Sequence, residues 1–203
     1  PAYSYFKYQM HLASRRALEV YTEVSRKFGE IFGRTYNTIE GYMTDDAEYI
    51  LLMSNSFSTL GKAAVNSARK NGIKTGLLKL RLLRPFPESD IVKAIKGAKA
   101  VAVVDQNISV GKGGILHSEV ASAVCNQKYK PLLLSFIGGL GGKNISPQEF
   151  EFIFDSMIKA VNTGEIPSSC LLYTETEWKE MDRLKTIAGK KQNCKLGKIG
   201  SSH

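Results

Sequence analysis

The stretch VAVVDQNISVGKGGILHSEVASAVC, residues 101–125, decides how the rest of the chain is read. It opens on an apolar run that ends in Asp105. Gly111, Gly113 and Gly114 interrupt it, and a segment of helical character follows. A strand delivered through a short loop into a helix is the building block of a parallel sheet. The same order of features also marks phosphate sites, because a helix N-terminus presents free N–H groups to anions.

The flanking sequence repeats the block. YILLMS (49–54) is a short apolar run, Ser56 and Ser58 are candidate N-caps, and Leu60 to Lys70 reads as a helix stopped by Asn71-Gly72. TGLLKLRLL (75–83) is a second strand, turned by Arg84-Pro85-Phe86-Pro87. Each proline there fixes φ and removes a donor. Pro87 is placed to be the first residue of a helix over 88–96, closed by Gly97. AVAVV (100–104) is the third strand, with a helix at about 114–126. Pro131 precedes a fourth, LLLSFI (132–137). Ser146-Pro147-Gln148-Glu149 then opens a helix carrying Phe150, Phe154, Met157, Ile158 and Val161.

Four alternations with continuous apolar strands predict a doubly wound, mainly parallel α/β sheet with helices on both faces. It is expected over about 45–163. Ahead of it, Met10, Ala13, Ala17, Val20, Tyr21, Val24 and Phe28 give a helical stripe over 8–28. Gly29 and Gly33 break that stripe, and 29–48 reads as an irregular polar linker. The organisation expected is therefore helix and linker (1–44), α/β domain (45–163) and C-terminal extension (164–203), with an amphipathic piece around Trp178 to Leu184. The chain begins at Pro1 and is expected to be the C-terminal part of a longer polypeptide.

Ligands of such sheets bind at the carboxyl ends of the strands. Loops 54–59, 83–88, 105–113 and 138–146 lie at that edge. Their motifs fail the phosphate tests. G-x-G-G at 111–114 has Leu116 where a dinucleotide fingerprint needs a small residue, and it follows the third strand, not the first. GGLGGKN (138–144) lacks the P-loop spacing and has Asn144 in place of the hydroxyl. Four glycines in five residues still permit positive φ or close backbone approach to another surface. Asp105 has three readings: a base, a partner for Arg84, or a turn-stabilising cap. His117 and Cys125 stand two helical turns apart, and two ligands do not make a zinc site. His11, on the first helix, reads as a surface or interface residue. No Gly-x-Ser-x-Gly elbow and no Ser-His-Asp set is present.

Composition excludes further classes. The net charge is +9, but residues 179–203 hold seven Lys/Arg against two acids. The basic balance is thus mostly a property of the tail, and no aromatic-basic interleaving points to nucleic acid. No apolar run is long enough for a membrane span, and no signal-peptide core is visible. Cys125, Cys170 and Cys194 are scattered and read as reduced thiols in a cytoplasm.

Four strings carry a resemblance: Asp46-Ala47-Glu48, GLLKLRLLRPFP (76–87), AVVDQNISVGKGG (102–114) and SFIGGLGGKNISPQEF (135–150). In this order they resemble the C-terminal part of the α subunit of 2-oxoacid:ferredoxin oxidoreductases, most of all pyruvate synthase. The resemblance covers about residues 1–163. It implies a domain like the C-terminal domain of transketolase, and a complex that uses thiamine diphosphate with Mg²⁺, [4Fe–4S] clusters and CoA to turn a 2-oxoacid into an acyl-CoA while reducing ferredoxin.

The family's thiamine diphosphate motif and cluster cysteine runs do not occur in this sequence, so no catalytic, cofactor or metal residue carries over. The partners implied are the upstream domain of the same subunit, the thiamine diphosphate and iron–sulfur subunits or domains, and ferredoxin through the complex. The segment is expected to be a non-catalytic assembly domain. Its candidate interface residues are Arg84, Asp105, Asn107, Gly111, Gly113, Gly114, Gly139, Gly141 and Gly142.

Two departures stand out. Met53-Ser54-Asn55-Ser56 replaces a usual Gly-Ser step, and Gln106 stands where the family commonly has Arg. Either fits a divergent member acting on another oxoacid, oxalate included. The rival reading is a transketolase or 2-oxoacid dehydrogenase E1-type thiamine enzyme, without ferredoxin.

Overall fold

A computed structural model describes residues 2–187; Pro1, Cys194 and the rest of the tail from 188 lie outside the described residues. In chain order the elements are α1 (Ala2–Phe32), β1 (Ile39–Tyr42), β2 (Tyr49–Ser54), α2 (Ser58–Lys70), β3 (Thr75–Leu80), α3 (Glu88–Ala94), β4 (Ala100–Asp105), α4 (Ile115–Val124), β5 (Leu132–Ile137), α5 (Pro147–Thr163), β6 (Cys170–Leu171) and α6 (Glu175–Ile187). A short 3-10 turn, Leu140–Gly142, lies between β5 and α5.

The strands form one sheet in the order β1-β3-β2-β4-β5-β6. β2, β3, β4, β5 and β6 run parallel, and β1 is antiparallel to β3. Leu51 sits between Leu77 and Ala102, and Val104 opposite Phe136. Successive residues of each strand face opposite sides. Leu51, Met53, Leu77, Ala102, Val104 and Phe136 pack under α2 and α5, against Val65, Phe150, Ile153 and Met157. Ile50, Leu52, Leu78, Val101 and Val103 pack under α3 and α4, against Ile91, Ile95 and Val120. Burial on both faces explains why the strands read as unbroken apolar runs. The doubly wound α/β fold is as expected.

The differences lie at the edges. The region 29–48 is not an irregular linker throughout. α1 continues through Gly29 to Phe32, and Gly33 ends it at φ +68°. A glycine inside a helix costs only about 1 kcal/mol, and here its bare Cα lets Thr35 pass. The returning chain is held by Ser25, whose hydroxyl donates to the Tyr36 carbonyl and accepts from the Tyr36 N–H, both at 2.9 Å. β1 then pairs with β3, and Glu40 on it meets Lys62 of α2 and Arg81. Two strands, β1 and β6, were not foreseen. Each is four residues or fewer, too short to show a period.

Other boundaries move for local reasons. β3 stops at Leu80, because the N–H groups of Arg81 and Leu82 both turn to the Thr38 carbonyl. Neither Ser56 nor Ser58 caps α2. Phe57 occupies the cap position, and the Ser58 hydroxyl donates to the Asn55 carbonyl. Pro87 is the residue before α3, not its first. β4 takes in Asp105, and α4 is shorter than 114–126. α1 leaves its predicted apolar stripe largely uncovered: Met10, Val20 and Val24 are exposed.

Candidate functional site

Parallel strands put the ends of β2, β3, β4 and β5 at one edge, and the four expected loops gather there. From β2 the chain winds one way to β3 and the other way to β4 and β5. The crevice between β2 and β4 is therefore the switch point, the usual binding position of such sheets. Asn55, just after β2, and Gln106, just after β4, face each other across it. Asn55 Nδ2 donates to Gln106 Oε1 at 3.0 Å. Asn55 holds a left-handed backbone, φ 61°.

Asp105 settles what the glycine loop does. Its side chain is 2% exposed and lies under the start of α4. Oδ1 accepts the Leu116 N–H at 2.7 Å and Oδ2 the His117 N–H at 3.1 Å. The N–H groups that would bind a phosphate are thus occupied by the protein's own carboxylate. Burial pushes the Asp105 carboxyl above its ordinary value, against the pull of those two N–H bonds. Burial likewise holds His117 below its usual pKa, opposed by the Asp105 charge.

The loop itself closes on a pair of backbone bonds, Ser109 N–H to Gly113 carbonyl at 2.8 Å and Gly113 N–H to Ser109 carbonyl at 2.9 Å. Gly111 and Gly113 take positive φ, while Gly114 takes an ordinary one. Gly114 is glycine for space: a Cβ there would stand 2.0 Å from Asp105 Oδ2. The loop is a tight strand-to-helix turn wrapped on a buried cap.

Asp105 is accordingly not the partner of Arg84. Arg84 instead pairs with Glu119 on α4 and donates to the Leu83 carbonyl, with its side chain mostly exposed. Asn107 is exposed on the loop. Beside them stand solvent-facing apolar side chains, Leu83, Ile108, Val110 at 92% exposure, Ile115 and Leu140. Arg84, Asn107 and the two glycine loops share this edge. Asp105 lies beneath it and shapes it.

The second glycine loop is also shaped from below. Gly139 packs on the Phe57 ring, and Gly141 and Gly142 face open space with positive φ. Lys143, the lysine of the P-loop lookalike, points inward. Its ammonium contacts Glu149 and Glu177, each at 2.7 Å. Burial works against that charge, but the two carboxylates outweigh it and hold the Lys143 pKa above its ordinary value.

Each carboxylate also closes a helix start. Glu149 completes a capping box with Ser146 at α5, and Glu177 accepts the Thr174 N–H at 2.6 Å at α6. The signals for this network, S-x-x-E at 146–149 and T-x-x-E at 174–177, stand in the sequence. What ties them together is a lysine whose role only the fold reveals. Asn55, Gln106 and Glu119 were likewise not predicted as site residues, because no local pattern marks contacts across strands.

Among the described residues no group of three or more His, Cys, Asp or Glu could hold a metal ion. Cys125 and Cys170 are free and stand on different elements, α4's end and β6. A diphosphate finds neither free N–H groups at α4 nor a free lysine at 143. No helix of the described residues is long and apolar enough to cross a membrane.

Comparison with known proteins shows the family of this chain. Ketoisovalerate oxidoreductase subunit VorA of Pyrococcus abyssi is 34% identical over 89% of this chain and 45% of its own length. Pyruvate synthase subunit PorA of Methanothermobacter thermautotrophicus is 35% identical over 72% of this chain and 37% of its own. The chain thus spans less than half the length of these relatives. Among solved structures, 2-oxoglutarate:ferredoxin oxidoreductase from Magnetococcus marinus aligns at TM-score 0.44 and 18% identity, over 66% of this chain and 21% of that one. Residues 47–150 match the family model described as pyruvate:ferredoxin oxidoreductase core domain II, from the start of β2 into the first turn of α5. The chain belongs to the pyruvate:ferredoxin oxidoreductase core domain II family.

Proposed function

We propose that this chain is the core-domain-II segment of the α subunit of a 2-oxoacid:ferredoxin oxidoreductase, with pyruvate as the expected oxoacid. In that reading the whole complex oxidatively decarboxylates the oxoacid to an acyl-CoA and reduces ferredoxin, using thiamine diphosphate, Mg²⁺ and [4Fe–4S] clusters held by other domains. This segment is a non-catalytic assembly domain. Its neighbours are the upstream domain of the same subunit and the thiamine diphosphate and iron–sulfur subunits.

One observation carries the reading. The family match coincides with the four long parallel strands and all four carboxyl-edge loops. Two features support the assembly role. The carboxyl edge exposes Leu83, Ile108, Val110 and Leu140 in adjoining loops, and the chain's own groups fill the places a phosphate would take. Exposed apolar residues gathered at one edge mark a protein contact more often than a solvated face.

The test is the composition of the native protein, purified from its source without oxygen. Partner subunits with iron and thiamine diphosphate are the expected result. Thiamine diphosphate without iron would replace this reading with a transketolase or dehydrogenase-type enzyme.

A further inference from the structure

We propose that α1 pairs antiparallel with α1 of a second copy of this chain, through an apolar seam on a helix face that its own domain leaves uncovered. The inference uses α1 alone and adds a contact that the assembly reading above does not supply.

α1 runs for 31 residues with only Ser25 buried. Its own domain takes one narrow face, where Ser25 holds Tyr36 and where Tyr21 and Phe28 are half-buried. A second stripe has no cover. Tyr3, Met10, Ala17, Val24 and Ile31 recur every seven residues, and Phe6, Ala13 and Val20 stand three places after the first three of them. Lys27 takes the next such place. The larger apolar side chains of this stripe are 55% to 73% exposed. Val24 lies one residue, about 100°, round the helix from Ser25, so the stripe stays free while the domain is packed.

An apolar seven-residue repeat sustained along the whole of a helix is the pattern of a helix that pairs with another helix. A membrane surface calls instead for a basic polar face. Here Glu19, Glu23 and Glu30 are mixed with Arg15, Arg16 and Arg26.

The charges select a second copy running the other way. Ala17 set against Val20 of that copy places Val24 against Ala13 and Ile31 against Phe6, and the two-fold repeats each contact. Flanking the seam, Arg16 meets Glu23 of the second copy, Glu23 meets its Arg16, and Glu30 meets its Gln9. On the other flank Lys7 meets Phe28. Lys27 falls opposite Met10, its stem over the seam and its ammonium 2.6 Å from Glu23 of its own helix. Parallel pairing would set Lys27 against Lys27 and Arg16 beside Tyr21, with no opposite charges. Arg15, Glu19, Arg26 and His11 stand off the seam, as do the exposed Tyr5 and Tyr8. Within one helix Arg16 and Glu23 are about 10.5 Å apart along the axis, too far to satisfy each other.

The test uses the full-length chain in its native assembly, with two differently tagged copies co-expressed and the exposed Cys125 replaced by Ser in both. One copy carries Ala13→Cys and the other Val24→Cys, both at exposed positions. The expected result is a disulfide between the two tagged copies, absent when both carry Val24→Cys. In a second measurement, sedimentation on dilution, Arg16→Glu or Glu23→Arg alone should weaken self-association at least about tenfold, since each turns two opposite-charge contacts into like-charge ones. The two variants mixed should associate with each other as the unaltered chain does, because every such contact is then opposite again.

A disulfide between two Val24→Cys copies would overturn the proposal by making the pairing parallel. No disulfide in either combination, or no effect of the charge variants, would overturn it and assign the seam to a different polypeptide. Neither measurement reads iron or thiamine diphosphate, so this outcome is separate from that of the assembly reading.

Discussion

A methyl group on Gly114 would stand 2.0 Å from Oδ2 of Asp105 and 2.5 Å from its Cγ. The two residues are nine apart in sequence and form one device. The acid ends β4 and caps α4, and the glycine leaves room for it. Gly114→Ala should therefore destabilise the protein by about 1–3 kcal/mol, the usual cost of overpacking. Asp105→Ala should cost about as much, because it leaves two helix N–H groups without their acceptor. In the Asp105→Ala background the added methyl meets only a Cβ at 3.1 Å, and its cost should largely vanish. Urea unfolding of the four proteins gives the coupling directly. Simple additivity would mean that the glycine serves something other than the acid.

Lys143 joins two helix starts, and its removal should be felt at both. Lys143→Met leaves Glu149, 1% exposed, without its cation, and frees Glu177. Breaking a buried pair on one side costs roughly 3–5 kcal/mol; the cost here should fall nearer 2–3, since Lys143 itself is partly exposed. Adding Glu149→Gln should recover part of that loss by neutralising the stranded carboxylate. Hydrogen exchange should show the first turn of α6 opening ahead of α5. Equal protection in variant and wild type would remove Lys143 as the link.

How much of this was legible in the sequence follows from the range of each interaction. β2, β3, β4 and β5 were readable because a doubly buried strand must be apolar at every position, as Ile50 to Met53 and Val101 to Val104 are. The α5 start was readable because Ser146, Pro147 and Glu149 act within one turn. β1 was not, since Glu40 and Gly41 carry no strand period and the strand exists through pairing with Lys79 and Leu78. The role of Asp105 was one of three open readings. Choosing among them required knowing that Leu116 and His117 return over the end of β4. Gln106 was visible only as a departure from a familiar string. Its meaning depends on Asn55, fifty-one positions away.

Glu40 should make the edge strand sensitive to acid. The hydrogen bond from the Lys62 ammonium holds its carboxyl below the ordinary value, against some burial and with help from Arg81. A carboxylate whose folded pKa is depressed contributes stability above its unfolded value, 4.5, and loses it as pH falls through the lower folded value. Wild type should thus lose more stability between pH 7 and 3 than Glu40→Gln does. The difference should be about 1 kcal/mol or less, because both partners are partly solvated. Other carboxylates cancel in the comparison. Parallel stability curves would show that the pair contributes nothing.

The exposed edge supplies the last prediction. Val110 and Ile108 touch solvent in this chain, so a charge there has little to disrupt within the fold. Val110→Asp and Ile108→Asp should each change the protein's own unfolding free energy by no more than about 0.5 kcal/mol. In the assembly the same charge would be buried against apolar groups without a partner, which is costly. Association should fall at least about tenfold, a loss of about 1.4 kcal/mol, as measured by sedimentation of the purified complex. An exposed control, Ile166→Asp, lies after α5 and away from the carboxyl-edge loops, and should leave association unchanged. If the Val110 and Ile108 variants assemble as wild type does, the carboxyl edge is a solvated face and the neighbours meet this domain elsewhere.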